Sequence, residues 1–330
     1  MSARTIAVLG AGSWGTALSM LLAKNGHAVR LWDHFPEQVE TLRRLRVNTR
    51  FLPDFPLPPG VEPVADLAAA VDGADPVLIV VPSHAFGELL RRLSPLLDPT
   101  QRVMWATKGL VEGRLLHEVA GDLLGRRPVA AISGPSFARE VAAALPTAVT
   151  VASNDGTFAR EVAHLLHNSR FRAYTSSDLV GVGLGGSVKN VLAVAAGIAD
   201  GLGFGANGRS ALITRGLAEM MRLGEAMGAE RETFMGLAGV GDLVLTCTDN
   251  QSRNRRMGLA LAEGFGQKEA QERIGQVVEG VRTAREVWTL ASRHGVEMPI
   301  TEQTYRVLYE DVTPRDAVHE LLIRDQKPEF

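Results

Sequence analysis

Gly10-Ala11-Gly12-Ser13-Trp14-Gly15 is the stretch that decides the fold. Before it, Thr5 to Leu9 is a short, almost continuously apolar run that reads as a buried strand. After it, Gly15 to Asn25 carries a helical pattern, and Gly26 follows where a left-handed cap is expected. Ala28 to Trp32 reads as the next strand. A G-x-G-x-x-G turn between a strand and a helix, at the start of a βαβ unit, is the dinucleotide fingerprint in its confirming context. Glycine is needed at 10, 12 and 15 for a tight turn, for close approach to a pyrophosphate and for packing the helix on the strand. The amides at the helix N-terminus then face the phosphates. The alternative is a plain turn.

Working outward, Pro76 to Val81, Arg102 to Thr107 and Val129 to Ser133 are further apolar runs that read as strands. Helical patterns at Ala85 to Leu97 and Leu115 to Leu124 separate them. This alternation predicts an α/β Rossmann-type domain over 1–177, with a mostly parallel sheet and helices on both faces. From about Asp178 strand signals become sparse. Helical patterns dominate at Leu179 to Ala199, Ser210 to Met227, Arg255 to Glu263, Ala284 to His294 and Thr301 to Tyr309, predicting an all-α domain over 178–330.

Bulk properties fit two soluble domains. At 330 residues the chain is long for one core. Its 45% apolar and 22% charged content is ordinary for a globular enzyme. A formal charge of -2 gives no general reason to expect nucleic acid or an anionic membrane as partner. Ile6 to Leu9 is too short for a signal-peptide core, and Val180 to Ala199 is interrupted by Lys189 and glycines, so a cytoplasmic protein without stable membrane insertion is expected. The single cysteine, Cys247, suits a reducing compartment and reads as a small core residue, having no histidine beside it. The eight histidines show no ligand-like pairing, so no metal is expected.

Three charges stand in apolar surroundings. Lys108 follows directly on the strand Arg102 to Thr107, at the sheet end where open α/β folds bind ligands; a surface loop lysine is the bland alternative. Lys189 is the only ionisable side chain from Leu179 to Ala199, and Asp242 the only charge between Phe234 and Thr248. A buried charge needs a partner, which makes Asp242 a candidate carboxylate for Lys189, either as a structural ion pair or at a cleft. Such a lysine suits carbonyl reduction, where hydride addition places negative charge on oxygen and an ammonium stabilises and protonates it. Ser252-Arg253-Asn254-Arg255-Arg256 offers guanidinium forks and neutral donors for a phosphate, or else is a solvated helix start. Gly134-Pro135-Ser136-Phe137-Ala138 follows a strand and opens a helix whose free amides suit an anion, although Ser136 could simply cap it. At the end of the second strand, Asp33 would accept from a ribose 2′-hydroxyl and favour NAD, while His34 could meet a 2′-phosphate and favour NADP. Both alternatives stay open.

Taken together, these segments resemble the bacterial NAD(P)-dependent glycerol-3-phosphate dehydrogenase family. The likeness runs over nearly the whole chain. It is carried by the fingerprint, by Trp105-Ala106-Thr107-Lys108-Gly109-Leu110, Ser133-Gly134-Pro135-Ser136-Phe137-Ala138, Gly185-Gly186-Ser187-Val188-Lys189-Asn190, Gly241-Asp242-Leu243-Val244-Leu245-Thr246-Cys247-Thr248, Asp249 to Arg256, and Val277-Val278-Glu279-Gly280. The resemblance implies NADPH- or NADH-dependent reduction of dihydroxyacetone phosphate to sn-glycerol 3-phosphate, supplying glycerophospholipid synthesis, by a homodimer. It implies Lys189 as proton donor and acceptor, Lys108 between substrate and nicotinamide, and Gly134, Ser136, Asp242, Ser252, Arg253 and Asn254 at the substrate. For the cofactor it implies Ser13, Trp14, His34, Lys108, Ala138, Arg253, Val277 and Glu279. Many relatives carry arginine where His34 stands, so the preference between NAD and NADP is left open. Two rival readings are a two-domain hydroxyacid or sugar-acid dehydrogenase, and a non-catalytic NAD(P)-sensing protein. Lys108, Lys189 and Asp242 argue against the sensor, which needs no proton donor.

Overall fold

The computed structural model describes residues 3–325, and the chain forms two compact units with the boundary between Gly183 and Leu184. The first unit is built on an eight-stranded sheet. In chain order its strands are β1 (Thr5–Leu9), β2 (Ala28–Trp32), β3 (Val61–Val64), β4 (Val77–Ile79), β5 (Val103–Trp105), β6 (Val129–Ser133), β7 (Thr147–Ser153) and β8 (Phe171–Ser176). They lie side by side as β8-β7-β6-β5-β4-β1-β2-β3. Every pair is parallel except β6 with β7.

Burial explains the texture of the strands. Ile6, Ala7, Val8 and Leu9 are all 0% exposed, so successive side chains on opposite faces of β1 are both covered. Full burial of each large aliphatic side chain contributes about 1.5–3 kcal/mol. Beside β1 the order reverses: the chain runs outward through β2 and β3, then returns to β4 on the other side of β1. In such sheets a crevice opens beyond the carboxyl ends of the strands at this switch point. Gly10 follows β1, and Val80 follows β4 there.

The predicted β1, β2 and β6 match to the residue, and the runs at 76–81 and 102–107 contain the shorter strands β4 and β5. The helix opening the unit, α1 (Ser13–Lys24), begins two residues before the predicted start. The segment at 133–138 also differs. It opens a helix only at Ala138, a five-residue turn to Ala142 with Phe137 as its cap, so Pro135 and Ser136 precede it.

The second unit is helical. Its elements include the long α2 (Leu179–Gly201, which begins before the boundary), α3 (Gly205–Ala226), α4 (Asp242–Thr248), α5 (Arg253–Ala262), α6 (Glu279–Arg293) and α7 (Pro299–Tyr309). Most of α2 beyond the boundary is buried, which makes it the core helix of this unit. It crosses α5 at backbone contact: a Cβ on Gly197 would meet the Arg255 carbonyl oxygen at 2.1 Å, and one on Gly258 the Val194 carbonyl oxygen at 2.0 Å. Only glycine at both positions lets the helices come this close.

Candidate active site

In the first unit the site grows from the fingerprint. Gly10 takes φ +117°, and a Cβ there would stand 2.5 Å from the Val80 carbonyl oxygen. A Cβ on Gly15 would lie 1.9 Å from the Gly10 carbonyl oxygen. These two glycines are therefore required by the protein itself. Gly12 differs, because its φ of -71° suits any residue and a Cβ would meet no protein atom within 4 Å. The space beside Gly12 is open, as close approach of a pyrophosphate would require. No side chain caps α1, whose first turn carries the half-buried Ser13 and Trp14. This geometry fits the dinucleotide.

At the end of β2, Asp33 and His34 diverge. The Asp33 carboxylate turns to the glycine loop and accepts from the Ala11 amide at 2.8 Å and from the Phe35 amide at 3.0 Å. His34 is exposed, with its ring edge-on to those of Trp32 and Phe35.

The ends of β5 and β6 bring Lys108, Gly134 and Ser136 together. Trp105 pairs with Ala131 in the parallel ladder, so both strands release their chains side by side. Lys108 donates from Nζ to the Gly134 carbonyl at 3.1 Å, and the Ser136 hydroxyl donates to the same oxygen at 3.0 Å. Gly134 holds φ +139° and lies against the Val149 backbone, leaving no room for a side chain. Ala138, the first residue of its short helix, packs partly buried against the sheet core.

In the second unit Lys189 and Asp242 meet. Lys189 Nζ donates to Asp242 Oδ1 at 2.6 Å and to Thr246 Oγ1 at 2.9 Å; the three residues are 7%, 1% and 4% exposed. The Thr246 hydroxyl in turn donates to the Asp242 carbonyl at 2.6 Å. A π turn at Leu237–Gly241 precedes α4 and breaks at Gly239, so that Asp242 opens the helix rather than continuing one. One turn before Lys189, a Cβ on Gly185 would lie 2.3 Å from the Ala238 carbonyl oxygen. That close approach sets the buried ammonium beside its carboxylate. A charge pair this deeply desolvated holds only with good geometry and further hydrogen bonds, which Thr246 provides.

The segment at 252–256 is not a solvated helix start. Ser252 caps α5, its hydroxyl accepting from the Arg255 amide at 3.2 Å, and Ser252, Asn254 and Arg255 are buried. Asn254 donates to Asn190 Oδ1 at 2.8 Å and accepts from the Gly280 amide at 2.8 Å, joining the neighbour of Lys189 to the start of α6. Arg253 reaches Gln276 at 3.4 Å, and burial lowers its guanidinium pKa against the opposing charge of Glu279. Glu279 is the first residue of α6, and Val277, two residues earlier, is 46% exposed. Cys247 is wholly buried, and desolvation pushes its thiol up to about 12. It is a core residue.

Thr246 and Asn190 join the site without being singled out by the sequence pattern. Their signal is one of spacing: Thr246 lies one helical turn after Asp242, and Asn190 is adjacent to Lys189.

Comparison with known proteins agrees over the whole chain. Family models described as the N-terminus and C-terminus of NAD-dependent glycerol-3-phosphate dehydrogenase match residues 5–159 and 178–319. The glycerol-3-phosphate dehydrogenase [NAD(P)+] of Thioalkalivibrio sulfidiphilus is 59% identical over 333 aligned positions, covering 100% of both chains. That of Shewanella halifaxensis is 57% identical, covering 98% of this chain and 97% of its own. The crystal structure of glycerol-3-phosphate dehydrogenase from Coxiella burnetii superposes with a TM-score of 0.96 at 54% identity, covering 98% of this chain and 99% of that one.

Proposed function

The chain belongs to the NAD-dependent glycerol-3-phosphate dehydrogenase family, and from that premise we propose the chemistry of each side chain in reducing dihydroxyacetone phosphate to sn-glycerol 3-phosphate. It is an NAD(P)-dependent oxidoreductase. The observation that carries the assignment of roles is the Lys189–Asp242 pair, a buried ammonium held at 2.6 Å by a buried carboxylate.

When bound, the nicotinamide supplies the hydride from C4, or takes it in the reverse direction. Lys189 donates the proton that the ketone oxygen requires as negative charge develops, and accepts the hydroxyl proton in reverse. Asp242 and Thr246 orient the ammonium so that the proton is presented in one direction. Ser252, Arg253 and Asn254 hold the substrate phosphate, where a guanidinium can pair bidentately and the neutral donors fix its rotation. Lys108, Gly134 and Ser136 are assigned to the substrate, and Lys108 also to the nicotinamide. Gly10, Gly12, Ser13, Trp14, Gly15, His34, Ala138, Arg253, Val277 and Glu279 hold the cofactor. Residues 1–177 are assigned to nucleotide binding and 178–330 to substrate binding and catalysis; the division of the chain after Gly183 and the second family match beginning at 178 support that assignment.

The same reading makes the protein a cytoplasmic homodimer that supplies glycerophospholipid synthesis, with no nucleic acid partner and no stable insertion in a membrane. Its support is the family likeness, together with α2: this helix is apolar enough to cross a bilayer, yet 83% of its most apolar window is buried inside the protein.

The test follows oxidation of NADPH and of NADH by absorbance, with and without dihydroxyacetone phosphate, and with a 2-oxo acid in its place. Oxidation that depends on the phosphorylated ketone is expected. A folded protein that binds nucleotide but turns over only the 2-oxo acid would overturn the substrate assignment.

A further inference from the structure

Ala11, the central residue of the nucleotide loop, has both of its backbone polar groups held by side chains. Its amide donates to Asp33 Oδ2 at 2.8 Å, and its carbonyl accepts from Asn48 Nδ2 at 2.8 Å. Asn48 is wholly buried, and each end of its amide is further engaged. Nδ2 also reaches the buried Thr16 hydroxyl in the first turn of α1 at 2.7 Å, while Oδ1 accepts from Gln38 at 2.9 Å and from the Phe51 amide at 3.2 Å. Asp33 is tied at its other oxygen to the Phe35 amide at 3.0 Å. The Gly10 amide is held in turn by the Trp32 carbonyl at 2.8 Å.

We propose that Asp33 and Asn48 are positioning residues for the pyrophosphate loop, and that Asp33 does not read the adenosine ribose. A strand-end carboxylate that accepts from the ribose 2′-hydroxyl selects NAD, because it loses a hydrogen bond and meets like charge when that hydroxyl carries phosphate. A carboxylate bonded to the loop amide acts instead on the part of the ligand that both cofactors share. Asp33 has one hydrogen bond on each oxygen from the backbone, and both fix the chain rather than extend toward a ligand. Asn48 performs the complementary task from the far side, clamping the Ala11 carbonyl to the first turn of α1. Together they preset the loop, so that its ordering is not charged against nucleotide binding. Discrimination at the 2′ position is then left to other groups, the exposed His34 among them.

This inference rests on the nucleotide reading of the first unit, and the test separates the two. Calorimetry would measure ADP-ribose and 2′-phospho-ADP-ribose binding to the full chain and to the Asp33→Ala, Asp33→Asn and Asn48→Ala variants. Wild-type protein that binds neither ligand would reject the nucleotide reading itself. Given wild-type binding, Asp33→Ala is expected to weaken both ligands alike, by about tenfold, the equivalent of about 1.4 kcal/mol. The ratio between them should stay within about twofold. Asp33→Asn keeps an acceptor for the Ala11 amide and should restore most of the loss for both. If Asp33 reads the ribose, either substitution instead weakens ADP-ribose while leaving the 2′-phosphorylated ligand unchanged or tighter, and the proposal fails. Asn48→Ala should repeat the parallel loss. Should that variant fail to fold, the two Asp33 variants, at a half-buried position, decide the matter alone.

Discussion

Arg255 and Asp200 meet at 2.5 Å with 9% of each side chain exposed. The remaining edges of the guanidinium donate to the Cys247 carbonyl at 3.1 Å and to Asn250 at 2.6 Å. Asp200 lies on α2 with Lys189, Cys247 on α4 beside Thr246, and Asn250 in the turn leading to Ser252. One buried cation therefore ties together the three segments that carry the ion pair and the phosphate donors. Removing Asp200 leaves the buried Arg255 cation without its carboxylate, which costs about 3–5 kcal/mol, whereas Asp200 keeps Arg209 at 2.9 Å when Arg255 is removed. Asp200→Asn should lower the stability measured by urea unfolding by that order and Arg255→Met by less, and the double variant should lose less than the sum. A change under about 1 kcal/mol in Asp200→Asn would place the pair among solvent-screened surface bridges.

Lys189→Ala should reduce turnover by about 10²–10⁴-fold, the range for loss of a positioned proton donor, while nucleotide affinity is unchanged. Thr246→Val keeps the volume but removes the acceptor that orients the ammonium. Its kcat should fall by less, about tenfold, since Asp242 still holds the lysine. Near-normal turnover by Lys189→Ala would remove that residue from its role.

Gly12 and Gly15 should respond in opposite ways to alanine. At Gly15 the new methyl would overlap the Gly10 carbonyl, so the protein itself should be destabilised, with loss of folded yield. At Gly12 the methyl meets no protein atom. Gly12→Ala should therefore unfold within about 1 kcal/mol of wild type, yet bind dinucleotide at least about tenfold more weakly because the methyl occupies the phosphate cradle. Equal nucleotide affinity in that variant would mean the phosphates pass elsewhere.

Glu219 gives the chain a built-in response to pH. It is 1% exposed on α3 and caps the start of α7, accepting from the Ile300 amide at 2.6 Å and from the amide and hydroxyl of Thr301 at 3.1 and 3.0 Å. Burial pushes its carboxyl up to about 7, outweighing those three donors and the charge of Arg222, all of which favour the ionised form. Between the ordinary carboxylate range and 7, the folded protein binds more protons here than the unfolded chain. This contribution to stability is thus complete at low pH and is lost as pH rises through about 7. Glu219→Gln should flatten that component: its melting temperature relative to wild type should rise from pH 5 to pH 8, by several degrees for a few kcal/mol. A difference that stays constant over this range would show that the carboxyl ionises normally.

Sequence and structure agree best where punctuation and burial coincide. β1 and β2 match to the residue because glycines bound them, Gly10 after β1 and Gly26 before β2, and because β1 is buried almost throughout while β2 buries Val29, Leu31 and Trp32. β7 and β8 went unread: Thr147–Ser153 mixes hydroxyls with valines and alanines, and its antiparallel pairing with β6 depends on the partner strand rather than on local pattern. α3 begins at Gly205, ahead of the predicted Ser210; its first residues, Gly205, Ala206 and Asn207, are exposed, and Gly205 and Asn207 are of poor helix preference, so no apolar periodicity marks them. At the site, Lys189 and Asp242 stood out as isolated charges in apolar segments. Thr246 did not, because a threonine among apolar neighbours carries no such contrast until the helix places it one turn from Asp242. The internal use of the Arg255 guanidinium was equally hidden, since five consecutive polar residues look alike until burial sorts them.

The state of Cys247 has a practical side. With no other sulfhydryl in the sequence, and with burial keeping this one protonated, the folded enzyme is expected to resist alkylating reagents as a cysteine-free protein would. A cysteine introduced at any exposed position would be the sole point of attachment for a fluorophore or spin label. Two such positions, one in each unit, would make a molecular ruler without first removing a native thiol.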